Sequence, residues 1–445
     1  MASAAEQLAR NLSFSTFAKA KDLQARIVFT LVALLVYRIG TFIPIPGIDP
    51  DAFTQTFNQA QSGILGMFNM FAGGAVERMA IFALNLIPYI TASIVVQILA
   101  TSIPALEQLR KEGEQGRRKI NQYTRYLAVV FCAVQAYGIA IGLEASTGVV
   151  AEPGVFFRVS TVITLVGGTM FLMWLGEQIT SRGVGNGISL IIFAGIVAGL
   201  PSTIAQTLEL SRTGSLPAIA AVGLLVLAVI VIAVIVFFER AQRRLLIQYP
   251  KRQVGNRMFQ GDTSHLPLKL NTSGVIPVIF ASSLLLLPAT FASFGSIGGG
   301  GTGWLNTIAV VLGRGQPLYL ALYVALIVFF AFFYTSIVFN PTDTADNLKR
   351  SGGFIPGIRP GERTASHIDY VLTRVTVIGA AYLAVIALIP EIIVSQLAVS
   401  AFLGGTSILI MVTVTLDTIT QVQSHLFAQQ YEGLVKRSRL GGKKR

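Results

Sequence analysis

Ten stretches of this chain, each about twenty residues long and nearly free of charge, alternate with segments that hold most of its lysines and arginines. Apolar runs of that length read as membrane-spanning helices. They fall near Leu23–Phe42, Met79–Thr101, Tyr126–Leu143, Val159–Gln178, Ile188–Ala205, Leu216–Phe238, Gly274–Ala292, Leu318–Phe339, Val375–Ile389 and Phe402–Thr420. The chain is 53% hydrophobic and only 12% charged, against about 25% charged in soluble domains. An all-α integral membrane protein is expected.

The charges orient the spans. Of 34 Lys and Arg residues, 29 lie at or before the start of the first span, in alternate connections, or in the C-terminal tail. The positive-inside rule places both termini and these basic connections in the cytoplasm. The net charge of +13 is therefore mostly a record of topology rather than a nucleic-acid footprint. The first residues carry no apolar signal-peptide core. The single cysteine, Cys132, lies in an apolar run and reads as a small buried side chain.

One span is interrupted. Ile64–Phe71 is an eight-residue apolar piece, about 12 Å of helix and too short to cross. Gly73-Gly74 and Glu77-Arg78 follow it, and a charge-free piece then runs from Met79 to Thr101 with Asn85, Pro88 and Gln97 inside it. Broken helices at membrane depth occur where they are buried in protein or line a cavity. Five spans precede the connection at Glu209–Leu216 and five follow it. A second half built like the first must then enter the bilayer from the opposite side, the inverted-repeat plan of many transport proteins. The second span would correspond to the seventh and the fifth to the tenth, around a shared central site.

Residue chemistry narrows the kind of transport. Ion-coupled carriers need acidic or His groups at depth. Here Glu177 and Asp417 lie near cytoplasmic ends, while Arg38 sits late in its span with a stem long enough to snorkel outward. His265, His367 and His425 fall in or beside cytoplasmic segments with no close spacing, so neither metal nor cofactor is expected. Gly183, Gly185 and Gly187 do not form a dinucleotide fingerprint, and Gly298–Gly301 lacks the following Lys-Ser or Lys-Thr of a phosphate loop. No catalytic constellation is visible, which argues against an enzyme. Leu86 and Ile90 share one helical face, as do Ile188 and Ile192. On central helices such side chains form a hydrophobic constriction. A channel, a coupled small-molecule carrier on the same inverted-repeat plan, and a non-conducting scaffold or ribosome receptor all stay open at this point.

A run of motifs then carries a resemblance. FIPIPG (Phe42–Gly47), MFNMFAGG (Met67–Gly74), IPYITASI (Ile87–Ile94), KEGEQGRRKINQYTRY (Lys111–Tyr126), GNGISLIIFAGIVAGLP (Gly185–Pro201), HLPLKLN (His265–Asn271), GVIP (Gly274–Pro277), FNPTDTADNLKRSGGFIPGIRPG (Phe339–Gly361) and GGTS (Gly404–Ser407) resemble, in order, the SecY family of protein-conducting channels. The resemblance implies ten helices in two inverted five-helix halves, 23–208 and 209–425. A cytoplasmic N-terminal segment, 1–22, precedes them, and a basic tail, 426–445, follows. It implies a pore ring of Leu86, Ile90, Ile188, Ile192, Ile279 and Ile410. It also implies a plug over 63–74, including Ile64, Met67, Phe68, Asn69, Phe71, Gly73 and Gly74, with Gly73-Gly74 as its joint. Gln97 and Asn271 match polar positions of a lateral gate between the second and seventh spans.

The same resemblance implies that loops 239–269 and 340–374 dock the SecA ATPase and the ribosome, ribosomal RNA included. Lys251, Arg252, Arg257 and Arg359 stand at the matching tips. Asn256 and Thr342 depart from the commoner basic pattern there. The partners implied are SecE, SecG, SecA, the ribosome, signal sequences with their preprotein chains, and the lipid of the bacterial cytoplasmic membrane.

Overall fold

The computed structural model describes residues 21–60, 64–144, 148–214, 217–249, 252–254, 257–259, 263–297, 316–397 and 405–441. Lys251, Asn256, Gly63, most of segment 1–22 and the last four residues of the tail lie outside them. Helices answer every expected span. In chain order they are α1 (Lys21–Gly40), α2 (Pro50–Ala60), α3 (Ile64–Phe71), α4 (Ile87–Ser102), α5 (Pro104–Lys111), α6 (Glu114–Glu144), α7 (Val155–Arg182), α8 (Gly187–Arg212) and α9 (Ala218–Arg240). After a β segment come α10 (Ile276–Ile297), α11 (Pro317–Val338), α12 (Pro341–Arg350), α13 (Glu362–Leu397) and α14 (Gly405–Gly441). Among the described residues, eight helices are long and apolar enough to cross a membrane, and the α4–α5 pair, bent by 98°, makes a ninth. The expected seventh span appears as an apolar helix, Ile276–Leu286, within α10.

The second span departs from its hydropathy. The apolar run places helix from Met79, but helix begins only at Ile87, and residues 72–86 run as successive turns. Met79 and Asn85 both take left-handed backbone, with φ of 45° and 48°, a conformation that a helix of L-residues cannot pass through. Pro88 then sits in the first turn of α4, where no donor is needed. The remaining sixteen residues rise about 24 Å. Pro104 opens α5 across the sharp bend.

The described chain divides into two compact units. The first holds the chain up to residue 204, the end of α10 and α14 from Val414 onward. In it α6 packs on α4 and α7, and α1 on α7. The turns of 72–86 wedge in among these helices. A Cβ on Gly40 would strike the Phe82 ring, and one on Gly168 the Ile81 carbonyl. The rings of Tyr37, Phe82 and Phe171 stack in sequence at 6.2 and 5.9 Å. Arg125 reaches Glu177 through two donors, at 2.6 Å for the shortest contact, so that this carboxylate is ion-paired rather than free for coupling.

In the second unit α13 packs on α9, α11 and α12. Its two long connections are not open loops. Gln242–Gln248 (β1) pairs antiparallel with Thr263–Lys269 (β4), and Arg252–Val254 (β2) with Arg257–Phe259 (β3). Alternation points Leu245 and Ile247 inward, and they pack with Leu268, Leu348, Ile355 and Ile368. Backbone bonds between Gln248 and Phe354, both 2.9 Å, tie the ribbon to the second connection. Among the described residues this mostly helical chain thus carries a small β-built platform; Leu266 and Leu268 alternate as a strand's residues do, whereas Leu245, Leu246 and Ile247 are apolar in succession.

Candidate functional site

The site begins with the two pieces of the broken span. The last turn of α3 is buried: Phe68, Asn69, Met70 and Phe71 are each less than 5% exposed. Asn69 ends this helix as a cap does. Its Oδ1 accepts from the Glu77 amide at 3.0 Å, and its main-chain carbonyl accepts from the Gly74 amide at 3.0 Å. Expected plug residues Ile64 and Met67 belong to α3.

The last carbonyls of a helix lack intrahelical partners; the amides of Ala72, Gly74 and Gly73 serve those of Phe68, Asn69 and Met70, and side chains serve Phe71 and the two residues that follow the helix. The Asn85 amide donates to the Phe71 carbonyl, the Tyr37 hydroxyl to Ala72 at 3.4 Å, and the Arg38 guanidinium to Gly73 at 2.7 Å. Gly73 has φ of 64°, and a Cβ there would lie 2.8 Å from Gly195 Cα of α8. The expected Gly73-Gly74 joint is therefore tightly held. Arg38 does not snorkel outward as its late position in the span suggests. It turns to Gly73, and both Arg38 and Arg78 lie over the Phe42 ring, at 4.7 and 4.3 Å from its centroid. Tyr37, Arg38 and Asn85 were absent from the expected site residues. The signal available for them was an amide and a guanidinium inside otherwise apolar spans.

The expected pore-ring residues lie at or near the starts of helices. Leu86 immediately precedes α4, and the Ile90 amide donates to its carbonyl at 2.9 Å, which sets the two side chains one above the other. Both are buried. On α8, Ile192 is buried, while Ile188 is half-buried with its Cγ1 beside Gly176 of α7. In the second unit Ile279 lies in the first turn of α10 and Ile410 in the first turns of α14, both buried. Each pair or single residue is thus placed at the start of a spanning helix.

The two expected gate residues differ in state. Gln97 donates to Ser93 Oγ at 3.0 Å, and its buried carbonyl oxygen has no partner among the described residues. Asn271 is fully engaged within its own unit. Its amide donates to Glu239 at 2.7 Å and to the Gly274 carbonyl at 3.0 Å, and its oxygen accepts from Ser273 at 3.1 Å. Of the expected docking residues, Arg359 is exposed in the turn between Gly357 and Gly361, and its carbonyl is held by the Thr364 hydroxyl at 2.9 Å. Arg252 and Arg257 lie on β2 and β3. One acid escaped the sequence reading: Glu391, just past the expected ninth span, is only 3% exposed in α13. Among the described residues no His, Cys, Asp or Glu side chains gather as a metal site.

The chain is similar to known proteins along nearly its whole length. The SecY family model matches residues 80–419. A protein translocase subunit SecY from Rickettsia conorii is 57% identical over 423 residues, covering 94% of this chain and 97% of the relative. The one from Escherichia coli K12 is 53% identical over 429 residues, covering 95% and 96%. A SecY structure concerned with the plug domain and channel closure superposes with a TM-score of 0.64 at 19% identity, over 91% of this chain and 92% of that one. Sec61 in a canine ribosome–channel complex gives 0.62 at 19%, with the same coverage. The fold is that of a ten-helix channel in two inverted halves, and the chain, a multi-pass membrane protein, belongs to the SecY family.

Proposed function

We propose that this chain is the conducting subunit of a protein translocase, passing unfolded preproteins across a membrane and releasing membrane helices sideways into lipid. The observation that carries the reading is the family membership, with 57% identity along nearly the whole chain to a protein translocase subunit. The family is one of channel subunits and not of enzymes, so the energy for transport comes from partners. A small-molecule carrier is not favoured, since the relatives are named as protein translocase subunits.

Within that function we assign the halves to 23–208 and 209–425 and the stopper to 63–74. Leu86, Ile90, Ile188, Ile192, Ile279 and Ile410 are assigned to a hydrophobic waist. Aliphatic side chains at a waist exclude water and ions without a charged filter. Gln97, whose buried carbonyl has no partner among the described residues, is the stronger of the two gate assignments. Asn271 is the weaker, because Glu239 and Gly274 already occupy its amide.

The β platform of loops 239–269 and 340–374 is assigned to SecA and the ribosome, with Lys251, Arg252, Arg257 and Arg359 as phosphate- or carboxylate-directed contacts. The canine Sec61 relative was solved in a ribosome–channel complex, which supports that assignment. SecE and SecG complete the assembly in the bacterial cytoplasmic membrane, with segment 1–22 and tail 426–445 on the cytoplasmic side. The test is import of a radiolabelled precursor into liposomes holding this chain with SecE and SecG. Uptake that requires SecA and ATP supports the reading, and the absence of any SecA-dependent protection from protease contradicts it.

A further inference from the structure

We infer that Tyr37, Arg38 and Asn85 form a clamp on the C-terminal end of the stopper segment, at Phe71 and the two residues after its helix, and so set how readily the channel opens; this rests on reading 63–74 as the stopper. Three consecutive carbonyls, those of Phe71, Ala72 and Gly73, each receive one side-chain donor. Two donors come from α1 and the third from the turns that lead into α4, so the segment's end is gripped from two directions. Gly195 of α8 closes the third side, since a Cβ there would lie 2.9 Å from the Phe71 carbonyl and 3.0 Å from the Tyr37 hydroxyl. Asn69 adds a grip from within, through the Glu77 amide.

These bonds differ in strength. Tyr37 is 1% exposed and Asn85 is 1% exposed, so a partner lost at either leaves a buried polar group unsatisfied. The Arg38 bond is charge-assisted and short, and such bonds are roughly twice as strong as neutral ones. Lifting the stopper's end away breaks all three at once. Asn85 is suited to the place for a second reason: its φ of 48° lies where asparagine is tolerated far better than most residues. A position that turns the chain into α4 thereby also supplies a donor to the helix before it.

The measurement is resting ion flux through liposomes holding the full chain with its small subunits, for Arg38→Gln, Arg38→Lys, Asn85→Gly and Tyr37→Phe. Asn85→Gly keeps the left-handed backbone and removes only the amide. Arg38→Gln is expected to raise flux about tenfold, Asn85→Gly and Tyr37→Phe a few-fold each, with Arg38→Lys recovering most of the closed state. Uptake of a precursor with a weakened signal sequence, relative to the full one, is expected to rise in the same order. Each substitution is repeated in a chain lacking 64–71, where flux is expected to be high already and to rise no further. If that deletion leaks while none of the substitutions does, the clamp is overturned and the stopper stands. If the deletion does not leak, the stopper reading falls and takes the clamp with it. If the substitutions add to the deletion, they act elsewhere and the clamp is again overturned.

Discussion

The second and seventh spans open in the same way. Asn85-Leu86-Ile87-Pro88-Tyr89-Ile90 and Gly274-Val275-Ile276-Pro277-Val278-Ile279 each put a left-handed residue two positions before the helix, at φ of 48° and 62°. In both, the isoleucine amide donates to the carbonyl four back, Ile90 to Leu86 at 2.9 Å and Ile279 to Val275 at 3.2 Å. The fifth and tenth spans repeat the theme. Gly187 and Gly405 each begin a helix at a point where a Cβ would strike a carbonyl of the preceding helix, that of Gly176 or of Ile386. Ile192 and Ile410 follow each by five positions. The difference between the halves lies at the left-handed residue itself. Glycine at 274 turns the chain without a side chain, whereas asparagine at 85 turns it and donates to the Phe71 carbonyl. The turn belongs to both halves and the side-chain bond to one.

The matched glycines give the hardest test of that pairing. Gly187→Leu and Gly405→Leu are each expected to destabilise the chain by roughly 3–5 kcal/mol, because the clashing atom is backbone and cannot step aside. Thermal unfolding of the detergent-purified complex reads this, and tolerance at one position but not the other breaks the correspondence. The left-handed positions come next. Asn85→Ala and Gly274→Ala are each expected to cost about 1–2 kcal/mol, and Gly274→Asn less than Gly274→Ala. An equal cost for Ala and Asn at 274 would mean that backbone conformation is not what the position selects. The smallest effect is expected at a feature of the first unit alone. Arg125→Gln removes the pair with Glu177, whose side chains are 42% and 33% exposed, and the expected loss in the same assay is no more than about 1 kcal/mol.

Much of this was legible in advance. Long charge-free runs and the alternation of basic connections located all ten helices, because lipid leaves the backbone no other use for such runs. The interruption after Phe71 was visible too. Its extent was not: hydropathy cannot separate apolar turns from apolar helix, and Met79–Leu86 is as oily as the helix beyond it. The local repeat went unseen because it spans six residues with only three identities, and it emerges once φ shows that Asn85 and Gly274 do the same work. Asn271 read as a gate residue by its place in the motif, yet its neighbours Glu239 and Gly274 come together only in the fold. Arg38 was misjudged because stem length alone cannot reveal a carbonyl within reach. The β platform lay in segments that charge had marked only as loops.

The most direct measurement compares Ile90→Asn with Ile279→Asn, matched positions of the two halves, by resting ion conductance of the reconstituted channel. A polar side chain at a dewetted constriction lets water and ions enter. Both substitutions are expected to raise conductance, and by similar factors. Unchanged conductance in either variant, in a channel that still imports precursor, would contradict a waist built from these residues.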